Sequence, residues 1–207
     1  MKKNKTILVI ALAFVLLLGS AYVLYGKLSQ DTAPDQLTVQ GAPAADQTEQ
    51  DTDTLQEEDE EKGQAPEKVL APDFTVYDLD GNAVQLSDYI GKPIVLNFWA
   101  SWCGPCQMEM PDFDKAYAEL GEEIQFLMVN MTSGRETQER AAAFIEEKGY
   151  SFPVFYDTEA DAAMTYGVYS LPTTLFIDAE GYGIAQAKGA INAETLQLGI
   201  DMILPKK

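Results

Sequence analysis

From residue 68 onward the chain alternates short apolar runs with amphipathic stripes. Ile94-Val95-Leu96-Asn97-Phe98-Trp99 is apolar almost throughout, the pattern of a buried strand. Directly after it, Cys106, Met110, Phe113, Tyr117 and Leu120 recur at spacings of 4, 3, 4 and 3. That is one stripe of an amphipathic helix, running from Cys103 to about Leu120 with a kink at Pro111. Ile124 to Asn130 predicts a second buried strand, and Arg135 to Lys148 a helix closed by Gly149. Phe152 to Tyr156 reads as a short strand and Glu159 to Tyr166 as a short helix ended by Gly167. Thr173 to Ile177 and Gly183 to Ala187 are strands about a turn at Asp178–Gly181, and Asn192 caps a last helix to about Leu204. Upstream, Phe74–Tyr77 and Ala83–Leu86 flank Asp80-Gly81 as a hairpin, and Ser87–Tyr89 starts a turn of helix. Strand-helix-strand followed by hairpin and helix predicts an α/β fold, a central mixed sheet with helices on both faces.

The first 67 residues break this pattern. Lys2, Lys3 and Lys5 precede an apolar run from Thr6 to about Tyr25, long enough to span a bilayer with the lysines on the cytoplasmic side. A cleaved signal peptide competes, because Gly19-Ser20-Ala21 has the small residues of a cleavage site. Tyr22-Val23-Leu24-Tyr25 continues the apolar run past that site and favours an anchor. Residues 27–67 are dominated by Pro, Ala, Gln, Thr and acids, too little apolar content to fold, and their charge extends them by self-repulsion. The expected organisation is therefore 1–26, a cytoplasmic tip and transmembrane anchor (or signal peptide); 27–67, a disordered acidic linker; and 68–207, a folded domain. Such a chain sits at the cell membrane as a single-pass protein, with its domain outside the cytoplasm.

Charge narrows the function. The 207 residues carry a formal charge of −19 and no histidine. The acidity argues against nucleic acid and against anionic membrane surfaces as partners. Without histidine, Ser-His-Asp and Cys-His catalysis and imidazole ligation of metals are excluded. No cofactor is expected.

The remaining chemistry lies in Trp102-Cys103-Gly104-Pro105-Cys106, which holds the only two cysteines. They sit where a strand hands over to a helix. A thiol at a helix N-terminus faces unpaired N–H groups and the positive end of the helix dipole, and both favour thiolate. A second cysteine one turn on resolves a mixed disulfide formed by the first. Three plainer readings compete. A structural disulfide across one turn closes almost no loop and gains little. Zinc needs about four ligands, and two cysteines without histidine do not supply them. Two inert thiols leave Gly104 and Pro105 unexplained, whereas Pro105 suits a first helical turn. A redox-active dithiol accounts for all of these features.

The segment Phe98–Cys106 resembles the active-site signature of thioredoxin-fold proteins. Pro111 matches that family's kinking proline, and Leu171-Pro172-Thr173 its cis-proline loop. Ala71-Pro72-Asp73-Phe74, Asp80-Gly81, Leu86-Ser87-Asp88 and Pro153–Asp157 are similar, more narrowly, to the membrane-tethered TlpA/ResA-like thiol-disulfide oxidoreductases. The resemblance covers about residues 70–204 and implies a thioredoxin-like fold with an added N-terminal hairpin and a mid-domain strand-helix insertion. It implies that Cys103 attacks and Cys106 resolves. Pro172 would offer the backbone of Leu171 to a client strand, Trp102 would shield the pair, and Glu109 would tune thiol titration. The plain alternative for Glu109 is a solvated glutamate at the helix edge. The chain departs from cytosolic thioredoxins at Asn97, where those carry a buried aspartate, and at Met128-Val129-Asn130, which lacks their lysine. The activity so implied is reduction of disulfides in client proteins, candidates being apocytochrome c and oxidised methionine sulfoxide reductases, with a transmembrane thiol-transporting electron donor to recharge the pair. Two rivals remain. A peroxiredoxin-like peroxidase shares the hairpin, but Ser101-Trp102-Cys103 lacks the threonine such enzymes carry before their cysteine. The other is a tethered binding or chaperone module with an idle disulfide.

Overall fold

The computed structural model describes residues 37–39 and 68–205. The expected anchor or signal peptide, residues 1–26, lies outside the described residues, as does most of the expected linker. Among the described residues no helix is long and apolar enough to cross a membrane. The described residues fall in one compact unit.

Among the described residues nine strands make one sheet: β1 Leu37–Val39, β2 Val69–Leu70, β3 Thr75–Tyr77, β4 Ala83–Gln85, β5 Ile94–Trp99, β6 Gln125–Asn130, β7 Val154–Tyr156, β8 Thr173–Ile177 and β9 Tyr182–Lys188. Their order is β1-β9-β8-β5-β6-β7-β3-β4, with β2 also on β9. The helices are α1 Gly104–Leu120, α2 Gln138–Lys148, α3 Asp161–Thr165 and α4 Ala193–Ile203, with a 3₁₀ turn at Leu86–Tyr89. β5 is parallel to β6 and antiparallel to β8, so the sheet is mixed. The hairpin β3–β4 joins it through Tyr77 opposite Tyr156, and β7 followed by α3 lies between α2 and β8 as the mid-domain strand-helix unit.

The period-two geometry of β5 sorts its side chains to two cores. Val95 and Trp99 pack with Phe113 of α1, Ala141 of α2 and Leu196 and Ile200 of α4. Ile94, Leu96 and Phe98 face Phe74, Leu86 and Phe155 on the opposite side. Asn97 has the parity of Val95 and Trp99, so a polar residue is carried into the face that α1 covers.

Several bounds differ from the sequence expectation, each for a local reason. The helix expected from Arg135 begins at Gln138, because Thr137 is its N-cap, accepting from the Arg140 N–H at 3.3 Å, and Gly134 to Glu136 are spent on a turn. α3 begins at Asp161 rather than Glu159. The carboxylate of Asp157 accepts from the N–H groups of Ala162 and Ala163 at 3.3 and 2.8 Å and sets its start. Three residues of the stretch expected to be a linker without structure form a strand: Leu37, Thr38 and Val39 pair antiparallel with Ala187, Gln186 and Ala185.

Candidate active site

The two cysteines meet at the junction of β5 and α1. Cys103 is the N-cap of α1, and Pro105 occupies the first turn, where its missing N–H leaves no partner unsatisfied. The Cys103 Sγ accepts from the Cys106 N–H at 3.2 Å, a bond that also favours a thiolate at this position. The pair is joined as a disulfide, with Cα atoms 5.3 Å apart. Both residues are buried, Cys106 completely and Cys103 at 5% exposure. Trp102 is 45% exposed, and the Arg135 guanidinium lies 3.9 Å from its ring centroid in a cation–π contact. The Leu171–Pro172 peptide is cis. Pro172 is buried, its C=O accepts from the Gly189 N–H at 2.8 Å, and Leu171 packs against the cluster that contains both cysteines.

Glu109 is not the solvated helix-edge glutamate of the plain alternative. It is 2% exposed, on the inner stripe one turn beyond Cys106. Its Oε1 accepts from Asn97 Nδ2 at 2.9 Å and its Oε2 from the Ile191 N–H at 3.0 Å. Asn97 Nδ2 also donates to Thr174 Oγ1 at 3.0 Å, while Asn97 Oδ1 has no partner. Burial pushes the Glu109 carboxyl up to about 7. The bonds from Ile191 and Asn97 oppose that rise, and the charge of Asp112 adds to it. A buried carboxyl that titrates near neutral pH beside a dithiol takes up or gives off a proton in the range where thiol chemistry needs one.

A second buried carboxylate was not legible in the sequence. Glu136 is 3% exposed. Its Oε1 accepts from the Ser101 N–H and from Asn130 Nδ2, each at 3.1 Å, and its Oε2 from the Ser101 hydroxyl at 2.8 Å. Glu136 and Ser101 lie 35 positions apart, and the only available signal was that Ser101 lies just past β5 while Asn130 ends its parallel neighbour β6. Among the described residues, no group of three or more His, Cys, Asp or Glu is placed to hold a metal ion.

The AhpC/TSA family profile matches residues 68–182. The thiol-disulfide oxidoreductase ResA of Bacillus thuringiensis subsp. konkukian is 35% identical over 136 residues, 65% of this chain and 77% of that protein. The thioredoxin-like protein YneN of Bacillus subtilis is 38% identical over 111 residues, 54% of this chain and 65% of that one. Among solved structures, a putative thiol:disulfide interchange protein DsbE from Chlorobium tepidum superimposes with a TM-score of 0.60 at 31% identity, over 67% of this chain and 97% of that chain. The exposed lipoprotein thioredoxin Etrx1 of Streptococcus pneumoniae superimposes at 0.53 with 36% identity, over 63% and 99%.

Proposed function

We propose, from the premise that this chain belongs to the AhpC/TSA family and within it to the ResA-like thiol-disulfide oxidoreductases, that it works outside the cytoplasm as a reductant of disulfides in client proteins. The observation that carries the reading is the placement of Cys103 as N-cap of α1 with Cys106 buried one turn on.

The reaction is a double exchange. The Cys103 thiolate attacks one sulfur of a client disulfide, the Cys103–client S–S bond forms, and the client's other sulfur leaves as a thiolate that takes up a proton. Cys106 then loses its proton and attacks Cys103 Sγ. The mixed disulfide breaks, the client leaves with both thiols, and the two electrons it gained have come from the pair, which ends as the Cys103–Cys106 disulfide. Glu109 acts through Cys106, as a nearby group able to hold or release the proton that this second attack displaces. Trp102 shields the pair, and the Leu171–Pro172 backbone docks the client strand beside it.

The reducing direction is supported by the Gly104-Pro105 dipeptide, the thioredoxin type. Thioredoxin sits near about −270 mV, whereas an oxidant such as DsbA sits near about −120 mV. Apocytochrome c and oxidised methionine sulfoxide reductases are the candidate clients. Recharging the pair outside the cytoplasm requires a transmembrane thiol-transporting donor, and the apolar run at residues 6–25 supports an anchor in the same membrane.

Reduction of insulin disulfides by the pre-reduced protein, together with equilibration of the Cys103–Cys106 pair against glutathione or dithiothreitol, tests this. Turnover and a potential close to that of thioredoxin are expected. A potential near that of DsbA would reverse the direction, and no turnover at all would leave the binding-module reading.

A further inference from the structure

Glu136 is a buried carboxylate that the exchange reaction does not use, and all three of its hydrogen-bond donors are neutral groups at the ends of two adjacent parallel strands, Ser101 just past β5 and Asn130 closing β6. Two of those donors belong to Ser101, two residues before Cys103. The remaining polar group of Ser101, its C=O, accepts from Gln107 Nε2 of α1. The Ser101 backbone is therefore held on one side by Glu136 and on the other by the catalytic helix. Glu136 is itself placed by its N–H donating to the Ser133 C=O at 3.1 Å, across a turn that Gly134 permits at φ +61°. Asn130, the partner of Trp99 in the β5–β6 register, is fixed in turn by the hydroxyl of Thr132, which donates to its Oδ1 at 3.0 Å. Past Ser101 the chain makes one more tight turn, the Cys103 N–H donating to the Ala100 C=O at 3.1 Å.

We propose that Glu136 is a positioning residue for Cys103: it locks the Ser101–Trp102 turn to the sheet and so fixes where the attacking sulfur sits when the disulfide opens. The inference rests on the assignment of Cys103 as attacking thiol. A buried carboxylate held by three hydrogen bonds over-determines its loop. Cys103 is 5% exposed, so the turn before it decides whether its sulfur faces a reagent, and loss of this lock should slow attack about tenfold.

Glu136→Gln separates positioning from charge. Its Oε1 still accepts from Ser101 N–H and Asn130, and its Nε2 can donate to a Ser101 hydroxyl that turns to accept. The full chain, reduced with dithiothreitol, is alkylated with iodoacetamide across pH, and thermal unfolding is followed in parallel. Glu136→Ala is expected to slow the limiting alkylation rate of Cys103 about tenfold with the apparent pKa unchanged, and Glu136→Gln to retain most of the wild-type rate. Ser101→Ala, which removes one of the three hydrogen bonds from a half-buried turn residue, should slow it about threefold, and should add nothing when combined with Glu136→Ala. A wild-type rate in both Ser101→Ala and Glu136→Ala overturns the proposal, as does a pH profile shifted equally by Gln and Ala, which would make Glu136 an electrostatic group. Should Glu136→Ala not fold, a wild-type rate in Ser101→Ala alone overturns it. Absence of insulin reduction by the wild type would count against the reductase reading, while the alkylation rates would still report the lock.

Discussion

The side-chain amide of Asn97 donates to Oε1 of Glu109 at 2.9 Å with both residues buried, while its own Oδ1 is left without a partner. Where cytosolic thioredoxins carry an aspartate in the strand, this chain has moved the carboxyl to the helix and put an amide opposite it. The amide can only donate to the acid as placed, so it favours the ionised form and limits the rise that burial causes.

Stability should depend on the ionisation of Glu109. Below its ordinary value of 4.5 the carboxyl is neutral in both folded and unfolded chains, and its burial carries no ionic cost. Between 4.5 and about 7 the unfolded chain gives up the proton first, so stability falls as pH rises through that window. Above it the loss is complete, on the order of 3 kcal/mol. Urea unfolding of the oxidised protein at pH 5 and pH 8 should show this loss in wild type and much less of it in Glu109→Gln. In that variant the free Oδ1 of Asn97 can turn to accept from the new amide. Equal losses in the two proteins would assign the pH dependence elsewhere.

The same carboxylate should hold the thiols protonated. An anion one helical turn from Cys106 opposes a second negative charge, so Glu109→Gln should move the alkylation profile of the reduced pair to lower pH. Asn97→Asp should do the reverse. It sets a second carboxylate about where the amide now lies, the two acids share a proton, and their titrations merge into those of a pair. Superimposable profiles for all three proteins would remove Glu109 from thiol chemistry.

Iodoacetamide should reach Cys103 well before Cys106 in the reduced protein, because Cys103 is the cap and Cys106 has no exposed surface. Cys103→Ser should abolish insulin reduction, and Cys106→Ser should accumulate mixed disulfides visible on a non-reducing gel. Similar alkylation rates at the two sites would undo the division of roles.

Gly199 lets α4 lie directly on β8. A Cβ there would collide with the Phe176 ring, a fully buried side chain with no room to retreat. Gly199→Ala should therefore lose stability, about 1–3 kcal/mol as for other overpacked cores, even though alanine is the better helix former. A urea midpoint equal to or above that of wild type would show that the contact relaxes freely.

Much of this architecture was written in periodicity. β5 and β8 fall on Ile94–Trp99 and Thr173–Ile177 as expected, because a continuous apolar run between turn residues has few alternatives. The dithiol and the start of α1 were legible because a proline and a glycine punctuate them. Glu109 was legible in position but not in burial. Whether a charged residue on the margin of a stripe faces water depends on what packs over it, and here that is the loop before α4, whose Ile191 N–H arrives from 82 residues away. Glu136 and Ser101 were hidden for the same reason. β1 was missed because three apolar-leaning residues in an acidic stretch are too short to register a period, and only the open edge of β9 makes a strand of them.

That edge has a mechanical meaning. Val39 pairs with Ala185 and Val69 with Gly183, so residues 40–68 depart from and rejoin the same strand two positions apart. The tie between β1 and the domain therefore runs through β9 and not through residues 40–68. A pull applied upstream of residue 37 is borne first by the few hydrogen bonds of β1 on β9. Only when those shear does the load pass to residues 40–68, 29 residues or about 100 Å at full extension. β1 is thus a mechanical fuse: below its rupture force the length of the acidic stretch does not change the reach of the chain upstream, and above it that length sets the reach.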